Sequence, residues 1–253
     1  MTDESMDVRE RILRAATDLL ARGGREAVST RAVSAAARVQ APTIYRQFGD
    51  MHGLLQVVAG DILAQYVQQK RVLESTADPI ADLRRGWEHH VAFGVGNAAA
   101  YLFIYSDATR LAQSPAQREG QAILRQLITR VAESGRLGVS IDHAVRMISA
   151  ACRGVALSLI GTPAEERDAH LSHDTREAVI SAITVAPAAQ LGGDASNGVS
   201  RVAARAVSLR AVLASAPAVL SSAEQHLLGE WLDRLSAPTN DHGQGFAVQG
   251  HAP

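Results

Sequence analysis

The chain has 253 residues, a formal net charge of -1 at pH 7 and a pI near 6.8. This balance excludes a basic character along the whole chain, as in histone-like proteins, but it allows a local basic patch. The single cysteine, Cys152, excludes an intramolecular disulfide bond, and its apolar helical surroundings favour a buried structural residue over a catalytic thiol.

The start of the chain is acidic and polar, which is not typical of a signal peptide. No run of residues approaches the roughly 18 apolar residues that a membrane-spanning helix needs. We therefore expect a soluble, cytoplasmic protein without a membrane partner.

Apolar residues recur at three- and four-residue spacing from residue 7 to about 236, which predicts an all-α fold. Glycines or capping side chains mark the ends of the first four helices: Gly23-Gly24 after the first, then Ser29 or Thr30, Gln40 and Asp50 at the starts of the others. The helices are predicted near residues 7–22, 30–36, 40–48, 50–75, 80–96, 98–111, 115–135, 141–161, 172–185, 199–215 and 222–235.

The pattern divides the chain into a small and a larger helical domain. Residues 1–50 are predicted to form a helix-turn-helix domain, and residues 51–237 a domain that binds an effector and dimerises. Residues 186–198 are rich in Gly, Ala and Ser, which predicts a mobile linker, and residues 238–253 are predicted to be a disordered tail.

The short second and third helices, separated by a tight turn, are what a helix-turn-helix needs, because the third helix must enter a major groove about 12 Å wide. Tyr45 and Arg46 can reach phosphates, while Ile44 and Phe48 face the domain core. Pro42 lies in the first turn, where its missing N–H costs nothing. The residues that can approach base edges are Gln40, Ala41, Pro42 and Thr43.

Local charge agrees with a DNA-binding surface. Residues 22–52 hold five arginines against Glu26 and Asp50, a net charge of +3 before His52 is considered. Because so few cations allow only a few phosphate contacts, useful affinity would need two copies that read half-sites roughly 34 Å apart. This requirement predicts a homodimer.

The segment STRAVSAAARVQAPTIYRQFGDMHGLL resembles the A-G-V-S-x-x-T-L-Y-x-H-F-x-x-K-x-x-L-L signature of the TetR family of bacterial transcriptional regulators, over about residues 7–60. The resemblance implies that Thr30 and Arg31 contact backbone phosphates. It also implies that residues 40–43 lie over base edges and that Tyr45 and Arg46 grip the flanking phosphates. In such regulators the C-terminal domain binds a small effector and dimerises.

Three positions depart from the family pattern. Arg38 replaces the usual turn glycine, Gln40 the usual serine cap, and Met51 a lysine that would contact phosphate. The resemblance therefore implies that His52, or the N-terminus of the fourth helix, compensates for the missing lysine. A looser resemblance extends to HVAFGVGNAAAYLFIY, which is similar to an N-P-x-x-Y-x-L-M-F pattern of some regulatory domains in the family.

Aromatic residues and histidines concentrate between residues 80 and 111. An apolar cavity with a few polar groups suits a small effector, although each ring could equally belong to the core. The predicted ligand-binding residues are Trp87, His90, Phe93, Tyr101 and Tyr105.

Neither a metal site nor a cofactor site is predicted. His89 and His90 point about 100° apart on a helix, and His170 and His173 lie in a polar connection. Because no Ser/His/Asp arrangement has a nucleophile elbow or a supporting strand, we do not expect an enzyme.

Small residues along the helix near 141–161 permit a close approach of helices: Ala144, Ala150, Ala151, Gly154, Ala156 and Ser158. The resemblance implies that this helix and the next, near 172–185, pair across a two-fold axis as a four-helix bundle.

The sequence thus predicts a ligand-responsive transcriptional repressor that binds a palindromic operator in double-stranded DNA as a homodimer and is released by a small apolar or aromatic effector. The alternative is a helical interaction or ligand-binding protein that has lost specific DNA contacts, which Met51 and the modest local charge favour.

Overall fold

A computed structural model describes residues 7–72, 74–106, 114–185, 198–213 and 220–236. These residues form eleven α-helices and one 3-10 turn, Ala164–Glu166, without a β-strand, which confirms the predicted all-α fold. The helices are α1 Val8–Ala27, α2 Thr30–Ala37, α3 Ala41–Phe48, α4 Met51–Arg71, α5 Pro79–Gly96, α6 Ala98–Ser106, α7 Pro115–Glu133, α8 Ile141–Gly161, α9 Leu171–Ile183, α10 Gly198–Leu213 and α11 Ser222–Ser236. Residues 186–197 of the predicted linker and the predicted tail 238–253 lie outside the described residues.

Two of the predicted helix caps are present. The Ser29 hydroxyl accepts a hydrogen bond from the Ala32 N–H at 3.2 Å, and the Asp50 carboxylate accepts one from the Gly53 N–H at 2.6 Å. The predicted Gln40 side-chain cap is wrong, because this side chain makes no capping hydrogen bond. Ser, Thr, Asp and Asn are preferred at such positions because their shorter side chains reach the free backbone N–H groups.

The first helix breaks at the predicted glycine pair. The dihedral angles of Gly23 and Gly24 are not helical, with φ of -135° and 65°. A further short helical segment then runs to Ala27, so α1 consists of two helical segments that meet at a kink. The fourth helix is shorter than predicted and ends at Arg71 instead of near residue 75.

The first four helices share one hydrophobic core, which we call the head core. Ile44 is fully buried in it and Phe48 packs against it while half-buried, as predicted. Three residues from the start of α4 and one from α6 complete it: Leu54, Leu55, Val58 and Ala100. The domain boundary after residue 50 stays a prediction, although the first two turns of α4 pack with the head.

A second hydrophobic core, the main core, joins α5, α7, α8, α9 and α10. Between the two cores lies a third group of buried residues from α4, α5, α6 and α8, which we call the aromatic cluster. Its members are Ala59, Leu63, Tyr66, Val67, Phe93, Tyr101, Ile104 and Ala156. Helix α4 therefore belongs to the head core at its start and to the aromatic cluster further along.

A buried carboxylate fixes the connection between α4 and α5. Asp82 is 3% exposed and accepts hydrogen bonds from the Thr76 N–H at 2.9 Å, the Thr76 hydroxyl at 2.7 Å, and the guanidinium groups of Arg85 and Arg130. Burial alone would raise the pKa of Asp82, but the hydrogen bonds from Thr76 and Arg130 outweigh it and lower the pKa to about 2. The ionised side chain thereby holds the loop against α7.

Arg38 occupies the turn between α2 and α3 in the left-handed conformation, with φ 53° and ψ 50°. A side chain with a Cβ is disfavoured there by roughly 1 kcal/mol, whereas glycine is not. Arg38 is therefore a strained residue in this turn, where the similar TetR pattern has glycine.

Arg38→Gly should stabilise the protein by about 1 kcal/mol, because glycine removes the steric cost of the left-handed turn. Urea unfolding followed by circular dichroism measures the change. Ala36→Gly, at an exposed position inside α2, is the control and should destabilise by about 1 kcal/mol. Equal destabilisation by both variants would show that Arg38 is not strained.

Candidate nucleic-acid interface and ligand cavity

The predicted DNA-binding residues lie on α2, on α3 and on the residues that flank α3 and begin α4. Tyr45 is 44% exposed, and its hydroxyl lies 3.0 Å from the Thr30 hydroxyl, so that α2 and α3 meet at this pair. The exposed Arg31 and Arg46 form no ion pair with any described residue. The other predicted residues are the exposed Gln40, Pro42 and His52 and the half-buried Ala41 and Thr43.

At the corner between α3 and α4, Gly53 lies very close to the backbone of Phe48, a contact that was not predicted from the sequence. A Cβ on Gly53 would lie 2.2 Å from the Phe48 carbonyl oxygen, so only glycine fits under the end of α3. The Gly53 N–H also donates the capping hydrogen bond to Asp50. The start of α4 is thereby held directly against the end of α3, whose outer side carries Tyr45 and Arg46.

A cavity of about 170 Å³ lies among α4, α5, α6, α7 and α8. Three of the five predicted ligand-binding residues line it: Trp87, His90 and Tyr105. Phe93 and Tyr101 are not in its wall and lie behind it in the aromatic cluster. Tyr101 is fully buried there, and its ring lies 3.1 Å from the position that a Cβ on Gly94 would take.

His90 is hydrogen-bonded on both sides by tyrosines. Its Nδ1 lies 3.2 Å from the Tyr66 hydroxyl, and its Nε2 lies 2.9 Å from the Tyr101 hydroxyl. Burial, together with the positive charges of Lys70 and Arg153, lowers the pKa of His90 to about 3. The ring is therefore neutral at pH 7, so one nitrogen donates and the other accepts, and the chain of three side chains ties α4, α5 and α6 together.

Buried polar groups hold the other walls of the cavity. The Trp87 indole N–H donates a hydrogen bond to the Ser172 hydroxyl at 3.1 Å and so links α5 to α9. Burial raises the pKa of the Cys152 thiol to about 12, which keeps it protonated. Cys152 is 5% exposed, in agreement with the predicted structural residue.

The sequence reasoning missed the charged residues of the cavity, Lys70 and Arg153. The Lys70 ammonium lies 5.0 Å from the centre of the Tyr66 ring, and the Arg153 guanidinium lies 5.1 Å from that of Tyr105. Burial lowers the pKa of Lys70 to about 8. One signal was available, because Lys70 is the only lysine in the sequence and lies one turn after Tyr66 on the same helix.

Among the described residues, no three His, Cys, Asp or Glu side chains are grouped as metal ligands would be. The Nδ1 atom of His173 lies 2.9 Å from a carboxylate oxygen of its neighbour Asp174.

The comparisons with known proteins agree with this geometry. The family described as bacterial regulatory proteins, tetR family, matches residues 12–58. That segment spans α2, α3 and most of the head core. No curated protein matches the sequence.

Solved structures of TetR-family regulators share the fold. A TetR family protein from Vibrio parahaemolyticus is 22% identical with a TM-score of 0.52, and the match covers 71% of this chain and 100% of that one. The transcriptional regulator FadR from Bacillus subtilis, in complex with stearoyl-CoA, is 18% identical with a TM-score of 0.56, covering 69% and 98%. A TetR variant from Acinetobacter baumannii, in complex with minocycline, is 18% identical with a TM-score of 0.53, covering 70% and 94%.

The stability of the ligand-free protein should rise with pH across the titration of Lys70. The folded state releases this proton near pH 8 and the unfolded state near 10.5, so the unfolded state binds more protons between those values. Below pH 8 the buried charge carries its full cost. Lys70→Met should therefore stabilise the protein at pH 7.5 by on the order of 2 kcal/mol, and by less at pH 9.5.

Urea unfolding at the two pH values measures this difference. Gln69→Met, which replaces the exposed neighbour on α4, is the matched control and should change stability equally at both. The prediction fails if Lys70→Met shows the same difference from the native protein at pH 7.5 and 9.5.

Proposed function

We propose that this chain, which resembles the TetR family in its head and in its fold, is a ligand-responsive transcriptional repressor. It would bind a palindromic operator as a homodimer and release it when a small effector enters the cavity. The observation that carries the proposal is the pair of exposed arginines, Arg31 and Arg46, which form no ion pair with a described residue and lie beside Tyr45 on two helices in helix-turn-helix order. A protein surface that leaves such groups without a partner suits the phosphates of a duplex.

In this proposal the head binds DNA through two kinds of contact. Thr30, Arg31, Tyr45 and Arg46 hold phosphates, and the hydrogen bond between Thr30 and Tyr45 keeps their side chains in register. Residues 40–43 face base edges in the major groove. His52 lies at the start of α4, where it and the helix N-terminus face the backbone.

Helix α4 is the proposed link between effector and DNA. It begins beside α3 and reaches the cavity at Lys70, about 28 Å away at 1.5 Å per residue. Its Tyr66 takes part in the chain of hydrogen bonds through His90. An effector that displaces this end of α4 would tilt the head, and a shift of a few ångströms in half-site spacing is enough to lose affinity.

Helix α6 offers a second link. Phe103 packs against the head core and its ring lies 5.2 Å from the His52 ring, while Tyr105 on the same helix lines the cavity. A single short helix therefore contacts both the predicted DNA-binding end of α4 and the wall of the proposed effector site.

The proposed dimer uses α8 and α9. Contrary to the expectation from sequence, α8 is long and apolar enough, by length and composition alone, to cross a membrane. Only 28% of its most apolar stretch is buried within one copy of the protein. It packs against α5, α7 and α9 on one side. Its exposed positions include Gly154, Leu157 and Ser158, and a second copy that covers them would account for the apolar surface without a membrane.

One observation favours the alternative of an interaction protein without specific DNA contacts. Met51 stands where the family pattern has a lysine, and it packs against the head core.

A cytoplasmic location is also part of the proposed function.

Selection of bound genomic fragments tests DNA binding directly. We expect a palindrome whose half-sites are one helical turn apart, and a specific complex that survives rising salt. With the selected site, Met51→Lys should tighten binding to all sequences and steepen the salt slope by about one unit, because it adds one phosphate contact.

Gln68→Lys, which adds the same charge at an exposed position near the other end of α4, is the matched control and should leave the slope unchanged. If the native protein selects no common sequence and loses all DNA at moderate salt, the alternative is correct.

The proposed dimer interface predicts that Gly154→Arg yields a monomer. A Cβ at Gly154 has no neighbour within 4 Å in one copy, so the fold tolerates the substitution while the large charged side chain blocks a second copy. Analytical ultracentrifugation at micromolar concentration should give a dimer for the native protein and for the exposed Gln65→Arg control. A native monomer, or a Gly154→Arg dimer, would contradict the assignment.

A further inference from the structure

We propose that the effector is an apolar molecule with one anionic group, which Lys70 and Arg153 hold inside the cavity. This inference rests on the effector site of the proposed function and names its ligand class. The two cations reach the cavity from different helices, Lys70 from α4 and Arg153 from α8.

The charges of the cavity wall are unbalanced. Twenty described residues line it, and none of these is Asp or Glu. Its other ionisable groups are uncharged at pH 7, because burial raises the pKa values of Tyr66, Tyr105 and Cys152 and lowers that of His90. In the described part of the chain, the cavity wall therefore carries two positive charges and no compensating carboxylate.

Other arginines around the cavity are paired with acids. Arg84 meets Glu177 at 2.7 Å, Arg71 meets Glu119 at 3.0 Å, and Arg130 meets Asp82. Lys70 and Arg153 form no ion pair with any described residue, and each lies over a tyrosine ring instead. A cation withdrawn from water without an acid is costly, and a ligand anion would recover that cost.

An unsatisfied amide lies in the same wall. Gln117 on α7 lines the cavity, and its buried Oε1 has no hydrogen-bond partner among the described residues. Because an amide offers both a donor and an acceptor, Gln117 can bind the polar end of a ligand beside the cations.

The position of Lys70 indicates how the ligand is oriented. Lys70, Gly86 and Leu127 line both the cavity and an adjoining outer cleft whose wall holds Glu74, Asp82, Arg85 and Arg130. Lys70 therefore stands where the cavity opens. An anionic group held there leaves the apolar body to extend inward among Leu83, Trp87, Leu124 and Ile148.

Matched ligands that differ only in charge test the proposal. The chain has two tryptophans, Trp87 in the cavity wall and the half-exposed Trp231 on α11, so Trp231→Phe leaves Trp87 as the fluorescent reporter. This protein is titrated with decanoate and decanamide, and with 4-phenylbutyrate and 4-phenylbutanamide. We expect at least one carboxylate to bind about tenfold tighter than its amide, as charge pairing in a shielded site allows.

Variants then assign the preference to the two cations. Lys70→Met should abolish the preference for the carboxylate while amide binding stays within about threefold, and Lys70→Arg should restore it. Arg153→Gln should also reduce the preference for the carboxylate. Arg146→Gln, an exposed arginine on α8 outside the cavity wall, is the matched control and should leave it unchanged.

Equal or tighter binding of both amides, no binding of either carboxylate, or a carboxylate preference that survives Lys70→Met would overturn the proposal. Circular dichroism of each variant shows whether it is folded, and Arg153→Gln tests the loss of a cavity charge if Lys70→Met does not fold. The fluorescence measurement needs no DNA. A carboxylate preference in a protein that selects no operator would therefore reject the repressor and keep the ligand class.

Discussion

The arrangement of the molecule depends on α4, because this single helix is buried in two places at once. Leu54, Leu55 and Val58 fix its start in the head core, and Tyr66 and Val67 fix its later turns in the aromatic cluster. A continuous helix transmits a displacement along its axis, since its backbone hydrogen bonds resist bending. In the proposed mechanism, a displacement of the cavity wall would therefore be passed to the head.

The later turns of α4 are held by polar as well as apolar contacts. Tyr66, His90 and Tyr101 form a buried chain of hydrogen bonds in which both ring nitrogens of the neutral imidazole are paired. Such a network fixes three helices in one arrangement, because breaking it leaves unpaired polar groups in an apolar environment. Lys70, one turn further along α4, forms no ion pair with any residue that the structure describes and lies over the Tyr66 ring. The cavity thus combines a hydrogen-bonded wall with a charged group from the same helix.

Much of the fold could be predicted from local signals. Helical periodicity, the caps at Ser29 and Asp50 and the break at Gly23-Gly24 each act within a few residues, so the sequence alone carries them. The predicted cap at Gln40 was wrong because it was inferred only from the position of this residue at a helix start. Its side chain makes no capping hydrogen bond. Phe93 and Tyr101 were predicted beside the cavity because aromatic residues suit both a wall and a core, and only packing separates these places.

By itself the sequence determined the helical fold, the order of α2 and α3, and the presence of Tyr45 and Arg46 on the third helix. These features follow from periodicity and from short motifs. Only the tertiary structure decided which side chains share the cavity, because Lys70 and Arg153 are 83 positions apart in the sequence. The lack of an acid among the described residues of the wall is likewise a property of five helices packed together, since the charge balance of a wall exists only after folding has selected its residues.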